Sequence, residues 1–311
     1  MKRYRKLIIQ SISAYLGFVT FTSATILSDF SLFTFGDVRI SSQVEGNSFI
    51  GGDLTQSGTF ATRDFATSST NPDSVVIGGD VSGNFNINRG NVRYGGSILN
   101  GGFNMNGGGS EINDTEANVT AIIDPIGAEI VATSNFFSGL ANANSSSIVA
   151  NNTLTINGTG STFSVINLES SDFTGVANID YNLSADSGAL IINVAGTDID
   201  FNSANFIGSA TQDATRSRIL FNFFEAETLD VTRTIEGSVL APGAHLTISS
   251  AINGSVAVSS AILNAEIRGP TFGRNQDDLG LPTIIPELAN FSLFASMACL
   301  ALAISIRRQR G

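Results

Sequence analysis

The 311-residue chain has little of what compact active sites are made from. It contains one cysteine, Cys299, one histidine, His245, and no tryptophan. A single thiol closes no intrachain disulfide and builds no cysteine-based metal centre. His245, following Pro242-Gly243-Ala244, has no second His or Cys to complete a triad or a zinc site, and reads as a turn histidine. Lysine occurs only at Lys2 and Lys6, and between Ala24 and Pro286 nine arginines face 26 acids, a net charge of −17. Nucleic-acid binding needs a basic patch, so that class of partner is excluded. The same acidity suits a soluble exported surface.

What is present is a strand-and-corner grammar. Glycine (32) and phenylalanine (22) are abundant and proline is scarce (6). Phrases recur at a fixed spacing. Ile235-Glu236-Gly237-Ser238-Val239 is answered by Ile252-Asn253-Gly254-Ser255-Val256, 17 residues on, and Gly78 by Gly95, again 17 on. Val44-Glu45-Gly46 through Gly51-Gly52 is a third such phrase. One short apolar strand, one glycine corner and a constant period predict a coil in which each turn stacks on the last. Val75, Ile77, Val81, Phe85 and Ile87 alternate with small or polar residues, as half-buried strands require. Leu190 to Val194 and Ile219 to Phe223 read as fully buried strands. Asp124-Pro125 has the form of a helix start, and Ile126, Ile130, Phe137 and Leu140 share one helical face, predicting a single amphipathic helix over 124–141. The fold class is therefore all-β: a right-handed parallel β-solenoid with one flanking α-helix, of about a dozen turns and on the order of 60 Å long.

The two ends carry membrane signals. A basic start, an apolar run from Leu7 to Phe21 and the small residues Thr22-Ser23-Ala24 predict a secretory signal helix over 1–24, cut near Ala24. Residues 274–284 read as a linker. Leu288 to Ile306 is an uncharged stretch closed by Arg307, Arg308 and Arg310, long enough for a transmembrane helix with its basic tip in the cytoplasm. Pro286-Glu287, the apolar helix and the basic tip make 285–311 resemble the PEP-CTERM sorting tail. That resemblance implies an exosortase-like enzyme as partner and the envelope of a Gram-negative-type bacterium as destination. Leu288 stands where the family usually has proline.

The body, 35–273, resembles the choice-of-anchor A family of bacterial surface proteins. The residues that carry this are Val44-Glu45-Gly46 through Gly51-Gly52-Asp53, Asn193-Val194-Ala195-Gly196-Thr197, Leu220 through Ala226, and Glu236-Gly237-Ser238-Val239-Leu240-Ala241-Pro242. Two departures stand out. Phe224 replaces a usual proline, and Asn264 to Gly269 replaces a histidine-bearing close. The general plan, an irregular β-helix with a flanking helix, is also similar to that of ice-binding proteins.

The search for chemistry finds few candidates. Glu225 with Glu227, or Asp198 with Asp200, could form the carboxylate pair of a glycan-cleaving enzyme, yet the body lacks the lysine and tryptophan that usually accompany such pairs. Gly51-Gly52-Asp53 and Gly78-Gly79-Asp80 have part of a calcium-binding nonapeptide repeat without its full spacing. Thr153-Leu154-Thr155 and Thr247 offer threonines, but no Thr-x-Thr array recurs at the 17-residue period, as an ice-binding face would need. No catalytic, metal or cofactor residue is assigned; calcium is the one ion these motifs suggest. The expected function is a non-enzymatic surface or matrix protein, adhesive or structural. Its partners would be the membrane through the C-terminal helix, and extracellular polysaccharide or other surface proteins. A polysaccharide-acting enzyme and an ice- or mineral-surface binder are the alternatives.

Overall fold

The structure, a computed structural model, describes residues 27–63 and 72–273. The signal segment with Ala24, the linker, and the tail with Pro286, Glu287, Arg307, Arg308 and Arg310 lie outside the described residues. Among the described residues no helix is long and apolar enough to cross a membrane.

The body is a coil of short parallel strands presenting three faces. Face A stacks ten strands. Along the rod they are Glu111–Asn113, Asn91–Tyr94, Asp73–Ile77, Ser48–Ile50, Leu32–Thr34, the first half of Val256–Leu263, the first half of Ser238–Ile248, Ile219–Asn222, Ala189–Ala195 and Phe163–Glu169. At about 4.8 Å per step this is roughly 43 Å, shorter than the sequence period suggests because corner insertions lengthen several turns. The expected registers hold where the period is 17: Val239 lies beside Val256, and Ile77 beside Tyr94.

The order of the rungs differs from a simple coil. Leu32 pairs with Ser48 on one side and with Val256 on the other. The N-terminal half coils away from this seam to Glu111–Asn113. The long helix α1, Glu116–Ser138, then carries the chain along face A to the far end, and the C-terminal half coils back to the seam. Turns stack on their predecessors within each half, but at the seam the first strand of one half meets the last of the other. A period in sequence reports neighbouring turns; it holds no record of which ends meet.

Helix α1 starts eight residues before Asp124. Its N-cap is Thr115, whose hydroxyl accepts from the Asn118 N–H at 3.2 Å, satisfying an amide that has no intrahelical partner. Pro125 sits inside the helix, on the exposed side beside exposed Ala121. There water can take up the carbonyl whose amide partner proline removes. The inward stripe runs Val119, Ile123, Gly127, Ile130, Phe137, extending the expected face by two turns. It packs on the outward residues of face A, among them Phe33, Phe49, Val76, Ile191, Leu220, Leu240 and Ala257. Gly127 is required because a Cβ there would lie 2.7 Å from the Phe35 ring.

Polar groups fix the helix's position along the sheet. Asn222 Nδ2 donates to the Ser134 carbonyl at 3.0 Å and to Asn193 Oδ1 at 2.9 Å, and Ser134 Oγ donates back to Asn222 Oδ1 at 2.7 Å. Asn193 Nδ2 donates to the Phe137 carbonyl and to Asn167 Oδ1, both at 2.7 Å. These asparagines occupy one register column on successive rungs. Asn193 and Asn222 are buried, so a slip of the helix would orphan several polar groups at about 1–3 kcal/mol each.

Glu129 is the unfavourable residue of this seam. Burial, with Asp29 nearby, raises its carboxyl from the ordinary 4.5 to about 7. A carboxyl that holds its proton more tightly when folded makes stability fall as pH rises, here between about 4.5 and about 7. Glu129→Gln should therefore raise stability above pH 7 by about 1–2 kcal/mol, after solvent screening of this partly exposed group, with little effect near pH 4. Urea melts across that pH range check it. Gly79→Ala should cost about 1–3 kcal/mol in the same assay, because a Cβ at Gly79 would displace the capping Asp53 carboxylate and lie 2.7 Å from the Gly52 carbonyl carbon, which as backbone cannot yield.

Candidate functional site

The Gly-Gly-Asp phrases build the corner between face A and face B. The Asp53 N–H donates to Asp37 Oδ1 at 2.8 Å, Asp80 N–H to Asp53 Oδ1 at 2.7 Å, and Ser97 N–H to Asp80 Oδ1 at 2.7 Å. Each carboxylate caps the amide of the next rung, while Gly52, Gly79 and Gly96 leave room for it; a Cβ at Gly96 would lie 2.6 Å from Asp80 Oδ1. This accounts for the motif as a structural ladder. Among the described residues no group of three or more His, Cys, Asp or Glu side chains is placed to hold a metal ion.

Face B is the broad exposed surface that these corners lead into. Eight strands lie side by side: Ile98–Met105, Val81–Ile87, Leu54–Phe60, Val38–Ile40, the second halves of Val256–Leu263 and of Ser238–Ile248, Thr228–Val231 and Asp198–Phe201. Seven steps of about 4.8 Å make it roughly 34 Å long. Alternation turns Leu54, Val38, Leu246, Leu229 and Ile199 into the core and leaves polar side chains outward. One outward rank reads Asp198, Thr228, His245, Ser260, Asp37, Asp53, Asp80, and the next reads Asp200, Asp230, Thr247, Ile262, Arg39, Thr55, Ser82.

The residues singled out in the sequence fall as follows. His245 lies within the strand Ser238–Ile248, just past a register shift that replaces the expected turn. It is exposed on face B, its Nδ1 2.7 Å from Ser260 Oγ. Asp198 and Asp200 point out of the same face, where Asp198 accepts from Thr228 Oγ1 at 2.9 Å and Asp200 from Asn202 Nδ2. Glu225 and Glu227 are in a turn, not on a strand. The Glu225 carboxylate is taken up in a structural bond, accepting from the Gly196 N–H at 2.9 Å. Thr247 is on face B. Face C, the third, stacks Ile235–Glu236, Ile252–Asn253, Ile267–Arg268 and Gln43–Val44, and a separate four-stranded sheet of Ser145–Ala150, Thr153–Gly158, Asn178–Leu183 and Asn205–Phe206 extends it. Thr153 and Thr155 belong to that extension, and the three threonines form no array.

Sequence reasoning passed over the ranks themselves. They interleave residues from both halves of the chain, and the only trace in the sequence is alternation of small polar residues in each strand. It also passed over the Arg216–Glu236 pair at 2.7 Å, which joins a helical turn to face C. Glu225→Ala should lower stability by about 1 kcal/mol, the value of a lost capping bond, as read by thermal melting.

Residues 23–269 match the family described as "Putative Ice-binding-like adhesive domain". Two crystal structures are similar. A glycosylated ice-binding protein (LeIBP) from Arctic yeast is 12% identical, with 80% of this chain and 96% of that one covered and a TM-score of 0.38. An ice-binding protein from an Antarctic biological consortium is 13% identical, covering 80% of this chain and 92% of that one, with a TM-score of 0.29. Among curated proteins none matches this chain.

Proposed function

The chain belongs to the ice-binding-like adhesive domain family, and from that premise we propose that it is a non-enzymatic adhesive domain displayed outside the cell, gripping an extended surface through face B. The observation that carries the reading is the pair of outward ranks: side chains, all but Ile262 polar, one per rung at about 4.8 Å across seven strands. A flat periodic array contacts many repeats of a polymer or solid at once, and many weak contacts on one rigid body add without a second ordering cost.

The composition of the ranks favours a polar polymer or mineral surface over ice. Asp198, Asp200 and Asp230 stand on the strands of these ranks, and the corner carboxylates Asp37, Asp53 and Asp80 continue the first rank along its edge. A carboxylate holds its own hydration shell strongly, which works against the lattice-like water layer that uncharged threonine ranks can hold. Nothing about face B resembles a catalytic cleft: its acids are spread along strands, and none faces a partner carboxylate across a groove.

Delivery follows from the ends of the chain. Residues 1–24 would be an export signal cut near Ala24. Residues 285–311 would be a PEP-CTERM-like tail in which Pro286 and Glu287 are read by an exosortase-like enzyme and Arg307, Arg308 and Arg310 stay cytoplasmic. The body would then be a choice-of-anchor A type domain held at a Gram-negative-type envelope.

The test is adsorption of the fluorescently labelled full chain to polysaccharide films, silica and ice, with thermal hysteresis measured in parallel. Thr55→Tyr with Thr247→Tyr, two bulky groups on the second rank, should weaken retention on the film or mineral by at least about tenfold, as loss of central contacts does. Hysteresis that disappears in the same variant would replace the adhesive reading with ice binding. Retention that ignores the variant would remove face B from the function.

A further inference from the structure

Away from face B, the rod has a break. The four-stranded extension of face C ends at Asn205–Phe206, and Ile235–Glu236, the next strand in chain order on that face, does not pair with it. Residues 208–216 fold instead as two short helical turns. The gap is a notch with a volume of about 270 Å³.

Its lining is built, not incidental. Phe206 is half-buried, its ring nearly parallel to and offset from that of buried Phe201, centroids 6.0 Å apart and planes 11° apart, and in contact with Tyr181 and Phe221, so core rings fix its orientation. Glu236 presents a side chain only 10% exposed, held by Arg216 Nη1 at 2.7 Å. Arg216 also pairs with Asp213, so these three carry a net charge of −1, which Arg233 at the rim offsets. Thr234 and Ser250 place their hydroxyls 3.0 Å apart on another wall. Arg233 is exposed at the rim, its Nε donating to the Asn202 carbonyl at 3.4 Å. Among the described residues it forms no ion pair.

Each element matches one part of a sugar ring. A pyranose has an apolar C–H face, which an aromatic ring accepts. Its rim of hydroxyls needs fixed donors and acceptors, supplied here by Glu236, Thr234 and Ser250. A guanidinium at the edge adds paired donors in the geometry that suits a carboxylate. On a body with a net charge of −17 between Ala24 and Pro286, Arg233 brings a positive charge to the same notch that Phe206 lines. The geometry points to a binding site for one uronic-acid ring of an acidic polysaccharide, with Phe206 under the ring and Arg233 on its carboxylate. This site is separate from face B and goes beyond the adhesive reading.

The experiment is calorimetric titration of the full chain with hexagalacturonate, and with cellohexaose as a neutral chain. Hexagalacturonate should bind saturably, and Arg233→Ala should weaken it at least about tenfold, as loss of a charge-assisted contact does. Phe206→Ala should weaken both sugars. Arg233 is exposed, so its variant keeps the fold, as an unchanged melting curve would verify, and it decides the outcome if Phe206→Ala unfolds the rod. Thr247→Tyr on face B should leave the titration unchanged. Absence of saturable hexagalacturonate binding, equal affinity for cellohexaose, indifference to Arg233→Ala, or loss on Thr247→Tyr would each overturn the assignment.

Discussion

Backbone passing over backbone at about 4.8 Å is the constraint to which everything else in this molecule answers. Parallel rungs must present free amides and carbonyls to one another at every turn, corners included. At strands the ladder does this without help. At the corner between faces A and B the strands stop, and amides left there would be orphaned. The Asp37, Asp53 and Asp80 carboxylates take those amides. They fit only because the preceding residues are Gly52, Gly79 and Gly96. The motif that in sequence has the look of a cation site is a way of stacking rungs.

The helix solves a second problem. A coil that builds outward from its middle must return to the other end, and α1 spans that distance while covering the apolar outer side of face A. Apolar burial alone is non-directional, so it would leave the helix free to slide. The column Asn167, Asn193 and Asn222, bonded to carbonyls of Ser134, Phe137 and Leu140, fixes its position. The helix takes up the apolar outer side of face A, and face B is left open.

A rigid rod with one face under a helix and another carrying repeating outward residues is suited to lie along something extended. The adhesive family to which the chain belongs agrees with this geometry, while the charged ranks separate it from a plain threonine lattice. The notch at Phe206 arises where the regular stacking is interrupted, and irregularity is what makes a pocket on an otherwise smooth rod.

The sequence by itself determined the class of fold. Alternating Val, Ile and Phe with glycine corners at a 17-residue period leaves little besides a parallel coil, and the buried runs Leu190 to Val194 and Ile219 to Phe223 read directly, because local alternation encodes local burial. The helix was legible as a helix but not at its start, since Asp124-Pro125 looks like a cap and Thr115, the cap in fact used, is one threonine among many. Only the tertiary structure decided that Leu32 stacks on Val256, that His245, Asp198 and Arg39 share a face, and that Phe206 and Arg233 meet at a gap. Those are relations between residues far apart along the chain, set by which turn comes to rest on which, and periodicity holds no information about that.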